Sequence, residues 1–190
     1  MKLEPLMTIH ADLKPPVDFG AGPYGARLVF DVTGGHFEGA RLRGTLLPSG
    51  GDWLLLDADG AGHLDVRITL QTDDGARIYV QYYGVVVMNE AVSKALTQGG
   101  ATAYGETYFM TQPRCETGDA RYKWINSVIA IAEGRVVSGN VEYQVFAVVV
   151  WITVLVRLGH VVARPGVDAT LLRSPSSKNA RRSSSAPEAS

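Results

Sequence analysis

The chain has 190 residues, 46% hydrophobic and 19% charged, enough apolar side chain to bury a core and too much for a chain disordered throughout. A formal net charge of −1 excludes the strong positive field of a nucleic-acid binder. A single cysteine, Cys115, excludes a disulfide framework and a cysteine-rich metal site, and 21 glycines argue for many turns and against long helices.

The N-terminus, Met1-Lys2-Leu3-Glu4-Pro5, has no secretory apolar run, so a reducing, cytoplasmic location is the default expectation. Strands are predicted over 26–32, ending at Gly34-Gly35; over 41–47, ending at Pro48-Ser49-Gly50-Gly51; and over 53–57, running into Asp59-Gly60. Further strands are predicted over 64–71, before Asp73-Asp74-Gly75, and over 78–87. The Asp-Gly pairs supply the positive φ of tight hairpin turns. Residues 89–98 (NEAVSKALTQ) form the one helix-like segment, stopped by Gly99-Gly100. Strands follow over 104–111, 125–133 and 135–150. Short strands with turn signals between them predict an all-β fold, an antiparallel barrel or sandwich.

The run 145–156 is apolar apart from Thr153, and it is shorter than the ~20 residues of a membrane helix, so a buried strand is expected and no membrane span. Residues 1–149 carry 12 Lys/Arg against 17 Asp/Glu, whereas 150–190 carry six against two. From Ser174 onward the chain is Ser, Arg, Ala and Pro, and disorder is expected there. These shifts divide the chain into a domain over 1–149 and an extension over 150–190 that is apolar, then basic.

The strand over 64–71 alternates strictly, with Leu64, Val66, Ile68 and Leu70 on one face and Asp65, Arg67, Thr69 and Gln71 on the other. An ordinary half-buried strand puts the aliphatic face inward. A ligand-holding barrel reverses the faces and carries Asp, Arg and Thr in its lumen. Periodicity leaves both open. In Arg121-Tyr122-Lys123-Trp124-Ile125-Asn126, alternation puts Tyr122, Trp124 and Asn126 on one face, a ligand wall of π surfaces and an amide. Gly50-Gly51-Asp52-Trp53 sets a carboxylate beside an indole. The candidate chemistry is acid–base: Asp52 and Asp65 as general acid or base, and Arg67 holding an anionic or carbonyl oxygen. Tyr122 or Asn126 would donate a hydrogen bond, and Trp53 and Trp124 would stack on a flat substrate. The histidines, His10, His36, His63 and His160, have no metal-binding spacing, and no phosphate loop is present, so neither metal nor cofactor is expected.

The chain resembles the domain-of-unknown-function family 3237, an uncharacterised bacterial family. The resemblance runs from about residue 3 to 148. It rests on Leu13-Lys14-Pro15-Pro16, Gly22-Pro23-Tyr24-Gly25-Ala26-Arg27, the segment from Gly34-Gly35-His36-Phe37 to Arg43-Gly44, Gly50-Gly51-Asp52-Trp53 and Asp59-Gly60. It continues through Leu64-Asp65-Val66-Arg67, Thr72-Asp73-Asp74-Gly75-Ala76-Arg77-Ile78-Tyr79, Arg114-Cys115-Glu116-Thr117-Gly118-Asp119, RYKWIN from Arg121, and Val141-Glu142-Tyr143. The resemblance implies a small closed antiparallel β-barrel, with no general activity attached. It adds Arg114 to the candidate ligand-binding residues and favours a lumen site. Where family members tend to have an aromatic, this chain has Cys115, and residues 150–190 have no counterpart.

Three functions stand open: an enzyme (lyase, isomerase, cyclase or hydrolase) acting on a cyclic or aromatic compound, a non-catalytic small-ligand binder, and a structural barrel with a buried Asp–Arg network. An enzyme should hold a cavity carboxylate not fully paired with arginine. The expected partner is a small molecule. A homo-oligomer is possible, and an apolar outer face on the strand from Leu64 would favour it.

Overall fold

The computed structural model describes residues 1–150; the expected disorder from Ser174 and the second half of the apolar run, 151–156, lie outside the described residues. Nine strands and one α-helix follow in chain order: β1 (Lys2–Leu13), β2 (Val17–Gly22), β3 (Gly25–Glu38), β4 (Arg43–Leu56), β5 (Ala61–Thr72), β6 (Arg77–Val87), α1 (Glu90–Gln98), β7 (Phe109–Glu116), β8 (Ala130–Val137) and β9 (Asn140–Val149). A 3₁₀ turn, Lys123–Ser127, links β7 to β8. Every pairing is antiparallel. The ladder runs β1-β9-β8-β7-β6-β5-β4-β3, and β1 pairs with β3 to complete the ring. The result is a closed eight-stranded antiparallel β-barrel. β2 lies outside that ring, paired with the first half of β3.

Period-two alternation decides what fills the barrel. Leu64, Val66, Ile68 and Leu70 of β5 are at most 4% exposed. Ile78, Val80 and Tyr82 of β6 face Leu70, Ile68 and Val66 across the ladder, Val86 faces Gly62, and all four are buried too. β1 contributes Ile9 and Ala11, β8 Ala130, Ala132 and Val136, and β9 Tyr143 and Val145. Burial of these side chains is the main stabilising term, at about 1.5–3 kcal/mol for each large aliphatic.

α1 and the 3₁₀ turn belong to opposite ends of the barrel. α1 follows the β6 end at Val87, beside Gly60, whose carbonyl accepts from Met88 N–H. Asn89 caps it by accepting from Val92 N–H at 2.9 Å. Its apolar stripe buries Val92 and Ala95, and the helix stops at Gly99 and Gly100, both at positive φ. The 3₁₀ turn meets the end marked by Asp74, to which Tyr122 and Arg121 bond.

Several sequence expectations need correction. The strands expected over 41–47 and 53–57 are one strand, β4, which runs through Gly50-Gly51; β3 continues past Gly34-Gly35 to Glu38; and the strand expected over 125–133 starts only at Ala130, after the 3₁₀ turn. The strand over 135–150 is two strands, because Ser138 (φ 50) and Gly139 (φ 81) turn the chain between Val137 and Asn140, which pair directly. The strand expected over 104–111 is displaced to β7, Phe109–Glu116, paired along β6. The segment from Arg121 is not extended: Ile125 N–H bonds to Tyr122 C=O and Val128 N–H to Ile125 C=O, so its side chains spread around a turn instead of sharing a face.

Candidate functional site

Of the two facings open for β5, the structure takes the one with aliphatics inside. Asp65 and Arg67 point outward with side chains 35% and 37% exposed, and they pair with each other at 2.7 Å. Trp53 is 40% exposed on the same outer surface, where Arg67 stands 5.7 Å from its ring centroid. Arg114, opposite Gln81, is exposed on the outside of β7. The expected lumen that joins Asp52, Asp65, Arg67 and the tryptophans is therefore not formed. An ion pair so exposed contributes little to stability. Replacing Asp65 with Asn or Arg67 with Ala should leave the midpoint of denaturant unfolding nearly unchanged. The polar outer face of β5 gives no support to a homo-oligomer either.

The residues of the 3₁₀ turn have structural partners. Asn126 accepts from Thr117 N–H at 2.8 Å and donates to Thr117 C=O at 2.9 Å, so its amide closes the end of β7 as a neighbouring strand would. Tyr122 donates to Asp74 at 3.1 Å. Trp124 lies under Arg41, whose guanidinium carbon is 3.6 Å from the ring centroid, in cation–π contact. None of the three lines the interior cavity.

Asp52 is the exception among the expected residues. Its ladder partners are Phe30 and Val66, and opposed residues share a face, so it points inward with them. It lines a cavity of about 50 Å³ whose other walls include Phe30, Leu54, Val66, Val136 and Val141. Asp52 Oδ1 accepts from Asp65 N–H at 3.1 Å. The surrounding carbon strips water from the carboxyl group and pushes its pKa up to about 7. The Asp65 N–H bond and the Arg27 charge pull it down less than desolvation raises it. No Lys, Arg or His lines the cavity.

Two residues that the sequence reading did not single out stand in the same cavity. Tyr82 and Tyr143 meet edge to face with centroids 5.4 Å apart, and Phe109 packs against Tyr143 at 5.3 Å. The two phenols pair with each other, and burial holds both protonated well above their ordinary range, with the nearby Asp52 charge adding to the effect. The sequence signal was present, since Tyr82 has the parity of Ile78 and Val80 on an alternating strand.

Cys115 is buried inside the barrel wall, which pushes its thiol up to about 12. It should not react with a thiol reagent at pH 8 while the protein is folded, and should react fully in denaturant. Among the described residues no three His, Cys, Asp or Glu side chains come close enough together to hold a metal ion, and no helix is long and apolar enough to cross a membrane.

The family model described as "Protein of unknown function (DUF3237)" matches residues 1–148. A UPF0311 protein of Rhodopseudomonas palustris is 29% identical over 120 residues, 63% of this chain and 78% of that protein. A UPF0311 protein of Bradyrhizobium diazoefficiens is 30% identical over 127 residues, 67% of this chain and 83% of that protein. A solved structure from Rhodopseudomonas palustris, a conserved protein of unknown function, superposes with a TM-score of 0.71 at 26% identity, covering 78% of this chain and 99% of its own. A beta-barrel like protein from Acinetobacter baumannii gives 0.65 at 32%, covering 77% and 94%. A protein from Penicillium herquei described as an enzyme shares the fold at 19% identity and a TM-score of 0.55, covering 76% and 93%. An inward carboxyl in an eight-stranded barrel thus belongs to a chain whose sequence and fold agree on one kinship: the protein is a member of the DUF3237 family.

Proposed function

We propose that this barrel is a small-molecule enzyme that works by acid–base chemistry in its interior, on an uncharged cyclic compound, with Asp52 as the group that takes and returns the proton. The observation that carries this reading is a lone carboxyl in an apolar cavity, poised near neutral pH and not paired with an arginine side chain. A general acid–base group is most effective with a pKa near the working pH. A structural barrel with a buried Asp–Arg network is disfavoured, because that pair sits on the outside. A pure binder would not need a carboxyl kept without a cation in its wall.

The cavity of about 50 Å³ is smaller than the ~150 Å³ that holds a benzene ring, so entry of a ring requires a wall to move. Met88, Val92 and Leu96 form one wall on and beside α1. At Gly99, beyond its end, no heavy atom lies within 4 Å of where a Cβ would stand, while Ser138 N–H holds the Gly100 carbonyl just after it. The test is a thermal-shift screen of ring compounds in neutral, anionic and cationic forms. The neutral forms should raise the melting temperature, and anions alone doing so would overturn the reading. Val92→Ala should lower stability by about 1–2 kcal/mol and strengthen binding of the bulkier neutral rings. Unchanged binding would place the ligand elsewhere.

A further inference from the structure

The inner wall carries oxygen in one region and carbon almost everywhere else. Asp52 Oδ1 is occupied by Asp65 N–H, and among the described residues nothing donates to Oδ2. The phenols of Tyr82 and Tyr143 stand beside each other in the cavity wall, where the Tyr82 hydroxyl can turn to an acceptor on a ligand. On the inner face of β7, two ladder pairs along from Tyr82, the Thr111 hydroxyl is shut off from solvent and has no partner.

These groups together define a substrate. The wall offers an acceptor, a hydrogen-bond donor and flat aromatic faces, and no cation. An anion would meet no countercharge. A cation would neutralise Asp52 and leave the phenol with no acceptor. Resting on the interior acid–base site proposed above, we infer that the barrel takes an uncharged cyclic ketone and moves a proton on the carbon next to its carbonyl. Asp52 Oδ2 accepts that proton. The C–H electron pair becomes a carbon–carbon double bond, and the carbonyl π pair moves onto oxygen, where the Tyr82 hydroxyl stabilises it. Return of the proton from Asp52 to the same or a conjugated carbon restores the ketone or gives its isomer. Nothing is oxidised and no co-reactant is consumed. The arrangement places a base and an oxyanion donor in one desolvated cavity, the requirement for enolisation near neutral pH.

The test uses the full chain with cyclohexanone in D₂O, followed by proton NMR, with cyclohexanecarboxylate as the charged comparison. Saturation transfer should show the ketone bound and the carboxylate not. The ketone's α-proton signal should decay faster with protein than without. Asp52→Asn should slow that exchange by about 10²-fold or more, and Tyr82→Phe by about 10²-fold, with saturation transfer to the ketone retained in both. If the ketone binds but exchanges equally with the wild type and Asp52→Asn, the proton-transfer inference is overturned while the interior site stands. If the ketone does not bind, both fall.

Discussion

Asp52→Asn should make the protein more stable at pH 8 even as it removes turnover. In the fold Asp52 holds its proton up to about pH 7, whereas its ordinary pKa, which the unfolded chain approaches, is 3.8. Between those values folding takes up a proton, so this group's contribution is complete below about pH 4 and is lost as pH rises through 7. The difference amounts to about 4 kcal/mol at most, less whatever water reaching this partly exposed residue screens. The groups acting on this carboxyl are Asp65 and Arg27, and Tyr82 and Tyr143 feel its charge. Asparagine keeps the acceptor for Asp65 N–H and cannot ionise. Wild type and variant should therefore melt close together at pH 4. At pH 8 the variant should melt higher, by on the order of 10 °C if the full difference is realised. Asp57, Asp74, Asp119 and Glu142 have lowered pKa values and push stability the other way in acid, but they are common to both proteins and cancel in the comparison. A variant that melts lower than wild type at pH 8 would show that the carboxylate is welcome in that cavity, and the acid–base reading would lose its support.

Gly134→Ala should destabilise the barrel by about 1–3 kcal/mol and disturb the polar end of the cavity. Gly134 is buried on the inner face of β8 opposite Tyr143. A Cβ there would stand 2.8 Å from ring atoms of both Phe109 and Tyr143. Neither ring has much freedom, because Phe109 packs edge-on against Tyr143 and Tyr143 against Tyr82. The methyl group should displace Tyr143 and weaken its bond to Tyr82. Near-ultraviolet circular dichroism and denaturant unfolding would register both effects. An alanine variant with unchanged aromatic signal and stability would show that the packing is looser than described.

The barrel was legible in the sequence because its signals are local. Strict alternation in β5 and the Asp-Gly turns follow from backbone geometry within a few residues, whereas Gly34-Gly35 and Gly50-Gly51, read as strand ends, lie inside β3 and β4. The first strand was missed although Met7, Ile9 and Ala11 alternate with Thr8, His10 and Asp12, because Pro5 interrupts the pattern where the register slips between Pro5 and Met7. β2 carries no buried residue and so has no apolar face to read. The site was half legible. Asp52 was singled out, but it was grouped with Trp53, Asp65 and Arg67, which face the other way. An alternating strand announces two faces without saying which is interior, and only the aliphatic content of β6 and β8 across the barrel decides it. Tyr82 and Tyr143 are 61 positions apart and meet only because the sheet closes.

That closure ties the two ends of the described chain together. β1 is the last piece of the ring, inserted between β9 and β3, so Ile9 has Tyr143 on one side and Phe37 on the other. A nascent chain cannot seal the ring until its ninth strand has left the ribosome, and contacts so distant in sequence make for slow folding. Without β1, β3 and β9 expose bare edges that any neighbouring strand could join. Removing the first 13 residues should therefore yield material that precipitates or swaps strands between copies, whereas a peptide with the sequence of 2–13 added during refolding should restore a soluble product.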